Sequence, residues 1–569
     1  MRILLIQPPI RDFFFTPLRK TPLGLLYLAT FLEKEGFSVK VLNALEEDKK
    51  YTLRVPKKFL YLKRYYRKNK SPFSLFTHYY HFGLQFEEIE EEILRFSPQI
   101  VGISSNFSCY LDCALEIAER VKKIDKRICV ISGGRFASAY PQLVLKNKCI
   151  DFIIRGEAEV SLLKLCKGLK KGKISLIDGL CYRSNEGLKI SKEIPLIKNL
   201  NVLPFPKRDL VDYKKYKFKD RISTSLITSR GCNLGCKFCA IKEKFRWLNA
   251  KNVLEEIKYC FSLGITHFNF EDDNINFHPQ FEKILDLIIE NFSSKIKISF
   301  MNGLLTHKLS LPLRKKLIKA GITHLDFSLV SSKRELREKL RRKEETKKIL
   351  FFANFMAKNR IPTTVHFIVG FPNQSFKEAI KDVKFLSKQR VFLGPSIFYP
   401  VIESELFEEL KNKFSIKEND YQFFRSSCAY FDKSITRNQI FFIFYLSRII
   451  NFIKKIVDAF SLNQDNFFTF LERKISFYSL KDNTLVSSKK IDKLILGIII
   501  LVRLLKEKKI FRVEEKKEDN KFIYSFFEED FIDSFQIEKF FKNLFLRSLE
   551  GVPLHFKNKR AHSSLSVPF

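Results

Sequence analysis

Gly231-Cys232-Asn233-Leu234-Gly235-Cys236-Lys237-Phe238-Cys239 is the stretch on which the reading of this chain turns. Its cysteines stand at C-x3-C-x2-C spacing, directly after a run of strand character at 224–228. Three thiolates on one tight loop can each bind one iron of a cubane 4Fe-4S cluster. The fourth iron is then left open, and an open coordination position is where a metal site does its chemistry. Gly231 and Gly235 let the backbone bend closely around such a group. A structural zinc site needs four ligands, commonly in paired C-x2-C or C…H groups. No fourth ligand lies close by, and Cys260 falls 21 residues on, in a helical stretch.

The pattern around the loop sets the fold class. Strand-like runs recur at 224–228, 267–270, 297–300, 324–329, 364–369 and 396–399, with helical stretches such as 253–262 and 314–320 between them. Six such repeats suit a partial (β/α)6 barrel of TIM type over 223–410. Upstream, 1–170 also alternates. Ile3 to Gln7 is an apolar run that stops at Pro8 and Pro9, and Leu25, Leu28, Ala29 and Leu32 then follow helical spacing up to Gly36. Further strand runs at 39–42, 100–104, 128–132 and 152–154 alternate with helices, which argues for a doubly wound parallel sheet. An insertion at about 46–85 interrupts it. Residues 171–222 read as a linker ending in Leu203-Pro204-Phe205-Pro206, and 411–569 as a helical, basic, Phe-rich C-terminal domain.

The chain has 569 residues and a net charge of +39, from 102 basic and 63 acidic side chains. The charge invites an anionic partner, but a Lys- and Phe-rich composition accounts for it as well. Residues 54–70 hold eight Lys or Arg and no acid, with Phe59, Tyr61, Tyr65 and Tyr66 among them. Such a stretch binds single-stranded nucleic acid, lies on anionic lipid, or is a solvated face whose rings pack on the domain; the last is the commonest. Eleven cysteines in this length do not form a secreted disulfide framework. No secretory signal and no membrane-spanning run is expected, so a cytoplasmic setting suits an oxygen-sensitive cluster.

The cysteine loop, with an aromatic before its last cysteine, resembles the signature of the radical S-adenosylmethionine (SAM) superfamily. Other pieces stand in that family's order. Phe270-Glu271-Asp272-Asp273-Asn274 resembles the acidic motif that receives the SAM amino group, as an ammonium needs a charged acceptor. Asn302, within Met301-Asn302-Gly303, and Ser328 fall where polar ribose contacts are placed. Arg342, within Arg341-Arg342-Lys343, falls where the SAM carboxylate is met. Gly370, in Phe367-Ile368-Val369-Gly370-Phe371-Pro372, falls beside adenine. The resemblance implies SAM contacts at Phe238, Glu271, Asp272, Asn302, Ser328, Arg342 and Gly370, and cluster ligands at Cys232, Cys236 and Cys239. It also implies reductive cleavage of SAM to a 5′-deoxyadenosyl radical that abstracts hydrogen from an unreactive carbon.

Pro22-Leu23-Gly24-Leu25-Leu26-Tyr27-Leu28-Ala29, Ser132-Gly133-Gly134, Pro141 and Gly156-Glu157-Ala158-Glu159 resemble the cobalamin-binding domain fused ahead of many radical SAM cores. That implies a corrinoid near Gly133 and Gly134. The D-x-H-x-x-G motif that supplies a histidine to cobalt elsewhere is absent, as it is in many such relatives, and Arg135-Phe136 stands where a histidine often follows the glycine pair.

The class so implied is a cobalamin-dependent radical SAM enzyme, most often a methyltransferase, with cyclases sharing the architecture. Its partners would be a small-molecule or lipid-like substrate and a reductant such as flavodoxin or ferredoxin. The basic C-terminal helices either touch a membrane peripherally or form a satisfied core, the second being favoured. Two alternatives are a tRNA methylthiotransferase and a non-catalytic corrinoid- or cluster-binding regulator. The first would put a second cluster on three N-terminal cysteines, but the first cysteine here is Cys109. Nucleic acid is therefore not the expected partner.

Overall fold

The computed structural model describes residues 1–14, 20–46, 49–75, 77–172, 176–428 and 434–529. Its N-terminal sheet has five parallel strands, β1 (Arg2–Gln7), β2 (Ser38–Asn43), β3 (Ile100–Ser104), β4 (Cys129–Gly133) and β5 (Phe152–Ile154), in the order β2-β1-β3-β4-β5. Two antiparallel strands, Leu180–Ser184 and Gly187–Lys189, extend it beyond β5. Alternation along β1 explains why its run is apolar throughout. Ile3 and Leu5 face the Leu23–Lys34 and Glu159–Lys170 helices, while Leu4 and Ile6 face the Phe86–Phe96 and Leu111–Ile124 helices. A strand covered on both faces has no polar side to show. The order of strands reverses between β1 and β3, and ligands of such sheets bind at the carboxyl edge beside that point.

The insertion adds strands Lys50–Leu53 and Tyr79–Phe82; Tyr79–Phe82 lies in the middle of a three-stranded antiparallel sheet, paired with Ile10–Asp12 on one side and with Lys50–Leu53 on the other. Its rings turn inward. Phe59, Tyr65, Tyr66 and Phe73 are buried, with Tyr65 stacked on Phe441 at 4.3 Å and Phe73 edge-on to Phe452 at 5.1 Å. Seven of the eight basic residues of 54–70 face solvent, all but half-buried Arg67. These rings are thus committed to packing, and among the insertion's described rings Tyr51 and Tyr61 are the exposed ones.

The barrel strands are β6 (Arg221–Leu226), β7 (His267–Phe270), β8 (Lys297–Phe300), β9 (Leu325–Val330), β10 (Thr363–Val369) and β11 (Phe392–Ile397). They pair as two parallel groups, β6-β7-β8 and β9-β10-β11, linked by a single bridge between Ile298 and Ile322. The last strand begins before the sequence-based expectation and passes through Pro395. An edge strand tolerates proline, and β11 is the edge.

The Arg437–Ala459 helix covers that edge. Its Asn451 side chain accepts from Leu393 N–H and donates to Leu393 C=O, both at 2.8 Å, as a neighbouring strand would. Lys454, buried on the same helix, donates to the carbonyls of Leu386, Gln389 and Val391 at 3.1, 2.8 and 2.7 Å. This helix, the insertion and the barrel share one apolar core. Among the described residues no helix is long and apolar enough to cross a membrane.

The C-terminal region is helical but not only helical. Strands Thr484–Ser487, Phe511–Glu518 and Lys521–Glu528 form an antiparallel sheet beside the Lys493–Glu507 helix. Asp519 and Asn520, at φ +43° and +63°, make the two-residue turn of its hairpin. Such turns favour Asp, Asn and Gly. The part of the expected C-terminal domain beyond 529 lies outside the described residues.

Replacing Lys454 with Met should remove a donor from three carbonyls, of which that of Leu386 keeps the Gln389 N–H. The expected cost is about 1–3 kcal/mol, read as a lower denaturant midpoint at unchanged slope. An unchanged midpoint would show that the ammonium is not holding the helix to the barrel.

Candidate active site at the facing edges of the two sheets

The cysteine loop, residues 231–245, springs from a two-stranded base, Ser229–Arg230 paired with Arg246–Trp247. Gly231 sits at φ +88°, and a Cβ there would lie 2.5 Å from the Lys244 carbonyl, so only glycine lets the loop close this tightly. The thiols turn toward N–H donors. Asn274 Nδ2 is 3.1 Å from Cys232 Sγ, and Ile241 N is 3.5 Å from Cys239 Sγ. Cys236 is buried with Arg342 Nη1 4.0 Å from its sulfur. Burial pushes the Cys232 and Cys239 thiols up, these N–H groups work against it, and the sulfurs are near enough to feel one another's charge.

Among the described residues no three His, Cys, Asp or Glu side chains converge on a single ion. The corner thiolates of a cubane each take a different iron, and N–H donors to sulfur are a normal part of such sites. Three thiols on one loop, one buried and two half-buried, with N–H donors at two and a guanidinium at the third, therefore suit a cluster better than a lone cation.

The acidic motif after β7 divides its work. Asp272 is buried, and its carboxylate accepts from the Thr228 N–H at 3.0 Å, from the Thr228 hydroxyl at 2.7 Å and from the Ser229 hydroxyl. It tethers the end of β6 just ahead of the cysteines. Burial pushes it up to about 6, against those hydrogen bonds. Glu271 points into the barrel, where Ser225 Oγ donates to it at 2.6 Å. Asp273 and Asn274 face the cysteine loop instead. Burial pushes Asp273 up to about 6, while Arg135 pulls it down.

The other expected contacts gather at the same strand ends. Asn302 Nδ2 donates to the carbonyls of Glu271 and Asp272 at 3.2 and 3.0 Å. Arg342 donates to the Ser328 carbonyl at 3.3 Å and pairs with Glu344 at 3.2 Å. Phe238 meets Phe371 edge-on at 6.1 Å, next to Gly370, which sits at φ +88°. In the N-terminal domain Gly134 is at φ +105°, with a would-be Cβ 2.6 Å from Asn106 Oδ1, so the loop after β3 already fills that space. Gly133 has ordinary room. Arg135 reaches across to Glu243 of the cysteine loop at 3.3 Å, so the carboxyl edges of the two sheets face each other. The sequence reading did not single out Arg135, Glu243, Asp273 or Asn274 as site residues, although two of them lie inside a motif it quoted.

A family model of the radical SAM superfamily matches residues 226–386, and one of the B12-binding domain matches 61–165. The chain thus carries a radical SAM domain preceded by a B12-binding domain. A 4Fe-4S cluster and SAM follow from the first family, and cobalamin from the second. An uncharacterised methyltransferase of Pyrococcus horikoshii is 26% identical to the radical SAM protein over 397 residues, 68% of this chain and 78% of that one. The fold is that of TsrM, a radical SAM methyltransferase from Kitasatospora setae, at a TM-score of 0.57 and 15% identity over 72% of this chain and 76% of that one. It is also that of the cobalamin-dependent radical SAM enzyme OxsB, at 0.58 and 14% over 89% and 79%. These two likenesses are likenesses of fold.

Lower in the barrel of this radical SAM protein, Asp326 accepts from His324 Nε2 at 3.0 Å and from His366 Nε2 at 2.9 Å. Burial raises its affinity for a proton, but the two imidazoles outweigh that and hold the carboxyl well below the usual range. A depressed folded pKa adds stability above the unfolded value and loses it on acidification. Wild type should therefore lose melting temperature more steeply than Asp326→Asn as pH falls from about 5 to about 3. Parallel slopes would show that the carboxylate charge contributes nothing.

Proposed function

We propose that this protein is a cobalamin-dependent methyltransferase that acts on an unactivated carbon of a small molecule. The observation that carries the reading is the meeting of the two carboxyl edges. The Gly133-Gly134-Arg135 turn touches the cysteine loop through Arg135 and Glu243, so groups held on either side lie within reach of one substrate. When bound, the cluster and SAM supply a 5′-deoxyadenosyl radical, and cobalamin supplies a route for a methyl group.

The residues of this chain would divide the holding. Cys232, Cys236 and Cys239 would bind the cluster, with Asp272 and Asn302 fixing the strand ends beneath it. Glu271 supplies a carboxylate for an ammonium, and Arg342 a buried cation for a carboxylate. Phe238, Ser328 and Gly370 would flank the nucleoside. Gly133 and Gly134 would help hold the corrinoid, and no D-x-H-x-x-G histidine is present to serve it.

The methylthiotransferase reading loses support from the N-terminal cysteines. Cys109, Cys113, Cys166 and Cys181 are buried, Cys113 and Cys181 among the packed apolar side chains of one helix layer and Cys166 in the other. The apolar faces of the Arg437–Ala459 and Lys493–Glu507 helices are likewise committed to the core. Among the described residues, those two faces are therefore not open to lipid. A small-molecule substrate and a flavodoxin- or ferredoxin-type reductant in a reducing compartment remain the coherent set.

Anaerobic protein with a reconstituted cluster, reductant and SAM should retain hydroxocobalamin through gel filtration. With the corrinoid it should form S-adenosylhomocysteine beside 5′-deoxyadenosine, and without it the nucleoside alone. Equal S-adenosylhomocysteine with and without corrinoid would overturn methyl transfer through cobalt. A corrinoid-bearing enzyme that forms the nucleoside and no S-adenosylhomocysteine, with candidate substrates present, would favour a cyclase.

A further inference from the structure

Two stretches that resemble cobalamin-domain signatures converge on Arg230, two residues ahead of Cys232. Its guanidinium lies 5.2 Å over the ring of Tyr27, from Pro22-Leu23-Gly24-Leu25-Leu26-Tyr27-Leu28-Ala29. It also lies 2.8 Å from Glu159 and 3.4 Å from Glu157, both from Gly156-Glu157-Ala158-Glu159. The second oxygen of Glu157 accepts from Arg246 Nη1 at 2.8 Å and from the Ile197 N–H at 2.6 Å. Arg246 closes the ring by donating to the Ile197 carbonyl at 2.7 Å.

Arg230 and Arg246 are register partners in the two-stranded base of the cysteine loop. One acidic pair from the first domain therefore grips both feet of that loop. Gly156, at φ +73°, has a would-be Cβ 2.6 Å from the Pro195 carbonyl, so its missing side chain lets the linker close over the same spot. The four charged side chains are between 5% and 19% exposed. A surface ion pair would hold little. A buried charge that loses its partner is strongly destabilising, so each member here depends on the others.

We infer that Tyr27, Glu157 and Glu159 are positioning residues for the cysteine loop, acting through Arg230 and Arg246 to make SAM cleavage depend on the N-terminal domain. This rests on the radical SAM reading above. None of the three binds the cluster or SAM. The N-terminal motifs then serve the joint between the domains, a role separate from holding a corrinoid.

The test is the full-length Glu157→Gln, Glu159→Gln double variant, which keeps shape and removes charge. Hydrogen exchange in residues 231–245, before and after cluster reconstitution, is the readout that needs no turnover. Exchange there is expected to quicken at least about tenfold while peptides of β1 to β5 keep wild-type rates. Nucleoside formed per iron loaded is expected to fall by about tenfold to a hundredfold. Arg230→Lys keeps the charge, removes the fork geometry and should show the same two effects; it decides the matter if the double variant does not fold. Wild-type exchange in 231–245, or wild-type nucleoside yield per iron, in a folded variant overturns the inference. A wild-type protein that loads a cluster but cleaves no SAM brings down the radical reading first, and this inference with it.

Discussion

Two carboxylates from one domain, buried Glu159 and largely buried Glu157, meet two guanidiniums from the next, Arg230 and Arg246. Charges this far from water persist only when paired, and removing one partner of such a set costs about 3–5 kcal/mol. That constraint fixes how the α/β sheet and the half-barrel face each other. Each sheet alone would present its carboxyl edge to solvent, as such sheets present ligand sites. Joined by these ion pairs and by Arg135 with Glu243, the two domains meet at the cysteine loop.

The barrel's incompleteness is managed by the chain that follows it. Six strands leave an open edge at β11, and an unpaired edge is a row of unmet donors and acceptors. Asn451 supplies a donor and an acceptor to that row, and Lys454 gathers the carbonyls just before β11. The insertion in the first domain then lays Tyr65 and Phe73 on the same helix. The C-terminal region thus completes a core begun elsewhere, which is why its apolar helices read from sequence as a domain of their own.

The alternating sheet, the six barrel strands and the cysteine loop were legible because each rests on local pattern: continuous apolar strands, helical spacing after them, and three thiols at fixed spacing. Gly36 ended its helix where expected, at φ +81°. The hairpin of 511–528 was overlooked although Asp519-Asn520 marks it, because the surrounding Lys and Phe masked the period-two alternation. Pro395 shifted the reading of β11, since only the assembled sheet shows that this strand is an edge. In the site, the spacing of Glu271-Asp272-Asp273 located the acids but could not rank them. Burial makes Asp272 a tether to Thr228 and turns Asp273 toward the loop, and neither fact is local. Arg135 was noticed only as standing in place of a histidine, and its link to Glu243 was not legible for the same reason: that contact joins residues 108 positions apart.

The measurement that tests this account most directly is 5′-deoxyadenosine formation by anaerobically reconstituted protein with dithionite and SAM. The comparison is a Cys232→Ala, Cys236→Ala, Cys239→Ala variant. The account predicts the nucleoside from the wild-type chain only, together with loss of cluster iron in the variant. A wild-type chain with a fully loaded cluster that leaves SAM intact, even with candidate substrates present, would contradict it and make the cluster structural or sensory.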